Sequence, residues 1–534
     1  MSGVVIAGGG PSGSATALAL ARAGIDVTIV ERAEFPRRKV CGEYLNSGAV
    51  AALDALGLGE AVRAIAQPLR GIRLVPPHGA ALELPFPRMA LACARADLDA
   101  LLLAAARDAG ANVVHARVED VAFDGARAVG LIVRDESGER RALAAQTIVG
   151  ADGAGSLVAK KLGLTRATSG TRRFAVGGHY SGFGDLGGYV EMYVGTGAYF
   201  AINPLDAGRA NVMVVVPDSA LAQWSSDVDE GIRGKAADLG RGHRSFADTA
   251  RIGARVSIGP LAHRVRAPIA SGALLIGDAA GFLNPFTGQG VFLALTGAAR
   301  ASAAIVRALT RRVEEETAFA AYADWRTGDF RARKRLSQLV NLMIDVPPLA
   351  QRAVTRLRRL PDLGTTLIDA LAAIGVSPAR PRTATRMIVT RNSIDINAPA
   401  MRIYGFAAPT ERWPQILPHY RDVRVLSRDG NKRTVAMDAW RDGIPISWVA
   451  EQINDPSRPH IFFHHIKGWT RGMDVEWLFE PIAGGTRVTI EHRLEFAFPF
   501  AREWIGRHIV SDFFVHAVAT RTLARIKLLA EGTE

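Results

Sequence analysis

The chain is poor in cysteine, with only Cys41 and Cys93 in 534 residues. Two thiols cannot build a disulfide framework or a cysteine-rich metal site, and such usage fits a reducing, cytoplasmic compartment. Uninterrupted apolar runs are short, and none reaches the ~18 residues of a membrane span. No basic-then-apolar leader is expected either, with the first strand-like run beginning almost at Met1. Aromatic residues make up 7%, and they are not gathered with the basic residues on one platform. The formal net charge of +13 therefore does not indicate nucleic acid: the excess arginine is scattered over helical stretches, and no nucleic-acid motif accompanies it. The positive balance fits either a basic proteome with high-GC coding or an acidic small molecule or carrier protein as partner.

Glycine, by contrast, is plentiful at 54 residues, and its first use organises the rest. Val4, Val5 and Ile6 form an apolar run that ends at Gly8-Gly9-Gly10-Pro11-Ser12-Gly13. An alanine-rich helical stretch, Ser14 to Ala23, follows, and a second apolar run, Val27 to Val30, stops at Glu31. Gly8, Gly10 and Gly13 stand at G-x-G-x-x-G spacing, and Glu31 comes about 20 residues later, where dinucleotide binding needs an acid for the ribose hydroxyls. The helix N-terminus offers N–H groups and a positive dipole end to a pyrophosphate. A cofactor with an ADP moiety is expected here.

Two later motifs answer the first. Gly150-Ala151-Asp152-Gly153 closes the strand-like run Thr147 to Val149. Ile276-Gly277-Asp278-Ala279-Ala280 follows another, and leads through Pro285, Gly288, Gln289 and Gly290 into an apolar helix. A carboxylate straight after a buried strand can bond a chain of sugar-like hydroxyls, which gives Asp278 the ribityl of a flavin. The Gly288-Gln289-Gly290 turn would aim a helix N-terminus at the flavin's pyrimidine edge and stabilise the reduced, anionic ring.

A length of 534 residues suggests two to four domains. The expected architecture is an α/β, Rossmann-type cofactor domain over 1–346 with an antiparallel substrate sheet inserted around 70–90 and 174–260. A helical extension and linker over 347–384 follows. Its arginines, Arg352, Arg356, Arg358 and Arg359, suit a solvated face on a packed cap better than a membrane-surface helix, although peripheral membrane contact stays open. Residues 385–534 change character: successive strands, then one terminal helix over 503–530, predict a separate α+β domain.

With these motifs in view, residues 1–346 resemble the FAD-dependent monooxygenase family typified by para-hydroxybenzoate hydroxylase, with its geranylgeranyl reductase and flavin halogenase relatives. The resemblance implies that Gly8, Gly10, Gly13 and Glu31 hold the ADP half, that Arg95 lies near the flavin, and that Val118 meets the adenine through its backbone. It also implies that Asp152 marks the central motif and Asp278 holds the ribityl. The stretch Pro36 to Glu43, with Arg38 and Cys41 and preceded by Arg32, is similar to the reductase and halogenase branch, where it lies along the flavin. Cys41 reads either as a redox or covalent-flavin residue or as a small buried hydrophobe, the default for a free thiol. His179 and Tyr180 are candidates to bond a substrate phenolate. The chain departs from the family where Ser156 is followed by Ala159, Lys160 and Lys161 rather than an arginine. The tryptophan-rich halogenase motif is absent, and Gly197-Ala198-Tyr199-Phe200 matches the reductases' aromatic segment only loosely.

From Thr385 the chain resembles the polyketide cyclase/aromatase branch of the START-like, helix-grip fold, through Ile394 to Pro399, Trp413-Pro414, Pro418-His419-Tyr420, Trp477-x-Phe479 and Gly485 to Thr489. Such domains enclose an apolar cavity. Alternation places Met473, Val475, Trp477 and Phe479 on one strand face and Val488, Ile490, His492 and Leu494 on another, which makes His492, Arg441 and His464 the candidate catalytic groups. The pair His464-His465 has no ligand-spaced partner, so no metal site is expected. The combined expectation is a bifunctional enzyme of secondary metabolism: an FAD- and NAD(P)H-using monooxygenase fused to a cyclase, acting on an aromatic polyketide, free or carrier-bound. The alternative is an FAD-dependent reductase of an isoprenoid or lipid double bond with a START-like binding module.

Overall fold

A computed structural model describes residues 2–532 except 77, 79–80, 168–171, 196, 225–226, 241–242, 283–285, 287, 311–312, 360–363, 365–387, 442–443, 469–471 and 495–515. The chain divides into two compact units, Met1–Val376 and Ser377–Glu534. The expected linker at 378–385, the first part of the expected terminal helix and Pro285 lie outside the described residues.

In the first unit, Val4, Val5, Ile6 and Ala7 are fully buried, the signature of a strand covered on both faces of a parallel sheet. The strand Ser2–Ala7 pairs in parallel with Val27–Glu31 on one side and with Arg140–Gly150 on the other. Asn112–Asp124 and Ala273–Leu275 extend the sheet outward, again in parallel. The helix Pro11–Arg22 makes the first crossover and packs on both Arg95–Asp108 and Gly290–Leu309.

A second sheet of eight strands runs, edge to edge, through Ala250–Ile258, Arg173–Ser181, Ala210–Pro217, Ala198–Pro204, Tyr189–Gly195, Gln67–Val75, Leu82–Ala92 and Tyr44–Leu45. It is the expected antiparallel substrate sheet, with one parallel pairing. Gln67–Val75 and Tyr189–Gly195 are parallel, because the chain leaves this sheet after Ala92, builds much of the cofactor domain and re-enters in the same direction.

The helix Gly290–Leu309 is, by length and composition, apolar enough to cross a membrane, which the reading of short apolar runs missed. Small residues break its run in sequence, yet Val291, Phe292, Leu295, Ala298, Ala301 and Ile305 are buried within the unit. Pro347–Arg358 sets Val354 and Leu357 against Leu82 and Leu84, while Arg352, Arg356, Arg358 and Arg359 turn away from that contact. That is a packed cap with a solvated face.

The second unit is one antiparallel sheet of seven strands, in the order Ile388–Ile396, Gly485–Leu494, Met473–Ile482, His460–Gly468, Ile444–Asp455, Lys432–Arg441 and Tyr420–Asp429. Met473, Val475 and Trp477 are buried on one face. The helix His516–Glu531 lays Ala519, Leu523, Ile526 and Ala530 into the same core.

Candidate functional sites

The first turn is built by close approach. Gly8 has φ +104°, and a Cβ on Gly13 would lie 1.9 Å from the Gly8 carbonyl oxygen, so strand and helix meet with no side chain between them. The helix Pro11–Arg22 has no side-chain N-cap and no acidic residue in its first turn, which leaves its N-terminal charge uncompensated. Glu31 binds the turn to its own strand: Oε2 accepts the Gly9 N–H at 2.9 Å and Oε1 the Ala33 N–H at 2.9 Å.

Sequence reading missed the residue beside this turn. Arg37 places its guanidinium 3.7 Å from Glu31 and 3.4 Å from Asp99, and its Nε and Nη1 are buried without a hydrogen-bond partner. Lys39 is held below its usual pKa by burial and then by Arg37, Arg95 and Arg32. Cations crowded beside an uncapped helix end fit a doubly charged phosphate bridge. Arg32 itself is exposed. Arg38, expected along the cofactor, turns instead to the substrate sheet, donating to the carbonyls of Ala254 and Ile252 and to His179 Nδ1. One position separates the two arginines, and backbone direction alone decides which faces the turn.

A second cluster joins Arg95 and Asp278. Arg95 forms a bidentate pair with fully buried Asp99, both contacts 2.7 Å. Burial alone would lower the Arg95 pKa, but Asp99 outweighs it and keeps the guanidinium firmly charged. Burial raises the Asp278 carboxyl, opposed by Arg95, Arg326, Lys39 and His263. The Asp278 loop is fixed from outside: Arg326 donates to the Gly281 carbonyl at 2.9 Å and His263 Nε2 lies 3.1 Å from the Ala279 carbonyl. Gln289 and Gly290 then open Gly290–Leu309, which also lacks a side-chain cap and a first-turn acid. Gly288 and Gly290 flank the buried Gln289. Two helix N-termini without side-chain caps, an arginine with two unbonded N–H groups and a buried aspartate thus fit FAD.

Asp152 has a local task. It accepts from the Ser156 hydroxyl and, at 3.1 Å, the Val158 N–H, capping the short helix Leu157–Lys161, and burial raises its pKa. Val118 sits opposite Val133 in a β ladder. Burial raises the Cys41 thiol pKa, with Arg95 pulling it back. His179 and Tyr180 are not presented to a phenolate: His179 is bonded to Glu43 and Arg38, and the Tyr180 hydroxyl lies 3.2 Å from Asp229.

In the second unit an aromatic-walled cavity is lined by Trp413, Tyr420, Trp448, Trp477, His465 and His492, among others. His492 faces it, as strand alternation predicts. His464 does not, which corrects the expectation: its ring is nearly half exposed and holds Asp474 at 2.6 Å on the outer face. His465 is the inward residue, stacked on Trp448 at 5.8 Å and 11°. Ile461, Phe463 and His465 are all buried, and their shared parity was the available signal. Burial, then His492 and His464, push His465 down to about 3, so it is neutral at pH 7. Burial likewise pushes His419, 2.9 Å from the Thr522 hydroxyl, to about 4. Arg441 ends a strand opposite Ile444, but its side chain lies outside the described residues. Among the described residues no group of three His, Cys, Asp or Glu could hold a metal.

A family model described as FAD binding domain matches residues 1–326, and one described as polyketide cyclase / dehydrase and lipid transport matches 396–513. The second domain is accordingly an antiparallel, helix-grip, START-like domain. The chain is 32% identical over 305 residues to a menaquinone reductase of Mycolicibacterium smegmatis, covering 54% of this chain and 72% of that protein. It is 27% identical over 338 residues to the 1H-pyrrole-2-carbonyl-[peptidyl-carrier protein] brominase of Pseudoalteromonas luteoviolacea, covering 61% and 82%. A solved flavin-dependent brominase superposes with TM-score 0.61 at 23% identity, over 70% of this chain and 93% of that one, which shows the shared fold.

Proposed function

The chain belongs to the FAD-binding-domain family, as an FAD-dependent oxidoreductase related to the menaquinone reductases with a START-like domain, and from that premise we propose a bifunctional enzyme. In this reading the first unit is a monooxygenase reduced by NAD(P)H, and the second a cyclase/aromatase. The substrate class is an aromatic polyketide or related phenolic intermediate, free or on a carrier protein, in the cytoplasm. The observation that carries it is the joining, in one polypeptide, of the Gly8–Gly13, Arg37 and Asp278 arrangement to an aromatic-walled cavity holding two histidines. FAD, when bound, supplies two-electron redox chemistry, with oxygen as co-substrate. Arg37 and the N-terminus of Pro11–Arg22 would bind the diphosphate, Asp278 the ribityl, and the N-terminus of Gly290–Leu309 the anionic edge of the reduced ring. In the cavity, His465 resists protonation and serves as a neutral donor that orients a carbonyl, which leaves proton abstraction to His492.

A second reading is an FAD-dependent reductase of an isoprenoid or lipid double bond, with the second domain holding the apolar ligand. It is favoured by the engagement of both His179 and Tyr180 within the protein, which removes the obvious phenolate donors, and by the identity to menaquinone reductase. Turnover with NAD(P)H under labelled oxygen separates the two. Label in the product with matching oxygen consumption supports the monooxygenase; a product two hydrogens heavier, formed equally well without oxygen, supports the reductase.

A further inference from the structure

We propose that Glu43 is a positioning residue of the flavin site, and that position 43 must present two hydrogen-bond acceptors to two fixed donors. The proposal rests on the reading that FAD lies beside Arg95 and the loop before Glu43.

Glu43 has φ +55°, the left-handed region, and is the one non-glycine residue there among the described residues. Its carboxylate is buried. One oxygen, Oε1, accepts the Arg95 N–H at 2.9 Å, and the other, Oε2, lies 2.7 Å from His179 Nε2. The backbone is held too: the Glu43 carbonyl accepts from the Cys93 N–H at 3.0 Å and Asn203 Nδ2 at 2.8 Å, and the Cys41 carbonyl accepts from Asn211 Nδ2 at 2.8 Å. A backbone conformation that disfavours most side chains is kept here by a residue whose two carboxylate oxygens each hold a donor.

The direction of every bond is set by Arg38. A guanidinium only donates, so His179 Nδ1, 2.8 Å from Arg38 Nη2, must be a bare acceptor. The proton of the neutral ring then sits on Nε2 and points at Glu43. Arg95 N–H is also a donor, and it is the first residue of a helix whose own N-cap, Ala94, offers no side-chain bond. Glu43 therefore caps Arg95–Asp108 from a distant loop, with its negative charge at the positive end of the helix. The same Arg95 sends its guanidinium to Asp99 and its charge to Cys41 and Asp278. Releasing Glu43 would move the arginine and the thiol together.

Glutamine has the right shape but one acceptor. In E43Q, either Arg95 N–H or His179 Nε2–H would face an amide donor. Removing Arg38 lifts the constraint: the His179 ring can then carry its proton on Nδ1, its Nε2 can accept from the introduced amide N–H, and the amide oxygen can take the Arg95 N–H. The experiment measures FAD affinity and the visible circular dichroism of bound FAD in the full chain carrying E43Q, R38M, the E43Q/R38M pair, and E43G, which keeps the left-handed backbone and lacks the carboxylate. The expected results are FAD affinity weaker by about tenfold or more in E43Q and E43G, an altered flavin dichroism, and recovery of most of the loss in the pair. Unchanged affinity and dichroism in E43Q would overturn the proposal, and so would a pair no better than E43Q. Where E43G fails to fold, the isosteric E43Q carries the test. If E43Q itself folds poorly, restoration of its melting temperature by R38M stands for the proposal and no restoration stands against it. Wild-type chain that binds no FAD would defeat the flavin reading instead, a separate result.

Discussion

The carbonyl oxygen of Gly8 lies 1.9 Å from the point where a side chain on Gly13 would begin. No real Cβ contact is that short, and the obstacle is backbone rather than a flexible side-chain end, so neither partner can move without opening the turn. Gly13→Ala should therefore cost about 1–3 kcal/mol of stability. It should also remove most of the bound flavin, because the helix N-terminus is displaced from the diphosphate. Flavin absorbance per chain and thermal melting of the purified protein check both. Full flavin occupancy in the variant would mean that the turn does not carry the cofactor.

Arg37 invites the opposite pattern. Its nearest carboxylate oxygens stand at 3.4 and 3.7 Å, and its Nε and Nη1 have no hydrogen-bond partner, so these donors are open to a phosphate. Charge-assisted bonds to phosphate contribute about 1.5–3 kcal/mol. Arg37→Met should weaken FAD binding by about ten- to a hundredfold while the apoprotein melts at or above the wild-type temperature. Titration of apoprotein with FAD at two salt concentrations tests this. Equal affinities for variant and wild type would place the diphosphate elsewhere.

What the sequence revealed follows from where its periodicity is strict. The glycine turn, the Asp278 loop and the alternating strands of the second domain each leave a local pattern, and the structure has the expected strands there. Arg37 against Arg38, and His465 against His464, are one-residue choices of facing. The backbone after Glu31 and the pairing partners of His460–Gly468 decide them, and no local pattern records the first. The loop ending at Glu43 was legible, but the bonding of Glu43 was not: its partners Arg95, His179 and Asn203 are brought together only by the long return of the substrate sheet.

Asp99 is fully buried and satisfies both ends of the Arg95 fork. Asparagine keeps its shape but loses its charge and one acceptor. Asp99→Asn should destabilise the first unit by about 3–5 kcal/mol, the cost of leaving a buried cation without its counter-charge. Chemical denaturation of the full chain should show an earlier transition that flavin absorbance follows. A midpoint unchanged within error would show that solvent, not Asp99, compensates Arg95.

The buried histidine of the second unit makes stability depend on pH in a direction that can be worked out. His465 is pushed down to about 3 in the folded chain against about 6.5 when unfolded. Between these values the unfolded state binds a proton that the folded state refuses, so stability rises with pH and is lost on acidification. The full contribution is present above pH 6.5, and by pH 5 about 2 kcal/mol has gone. His419, pushed to about 4, acts in the same window with the same sign. Replacing His465 by phenylalanine keeps an aromatic ring against Trp448 but removes the titration. His465→Phe should therefore flatten the pH dependence of the second unit's unfolding by about 2 kcal/mol between pH 7 and pH 5, leaving a residual slope from His419. Tryptophan fluorescence reports that unfolding directly, because Trp413, Trp448 and Trp477 line the same cavity. A variant with the wild-type slope would mean that burial does not keep His465 neutral in the folded protein.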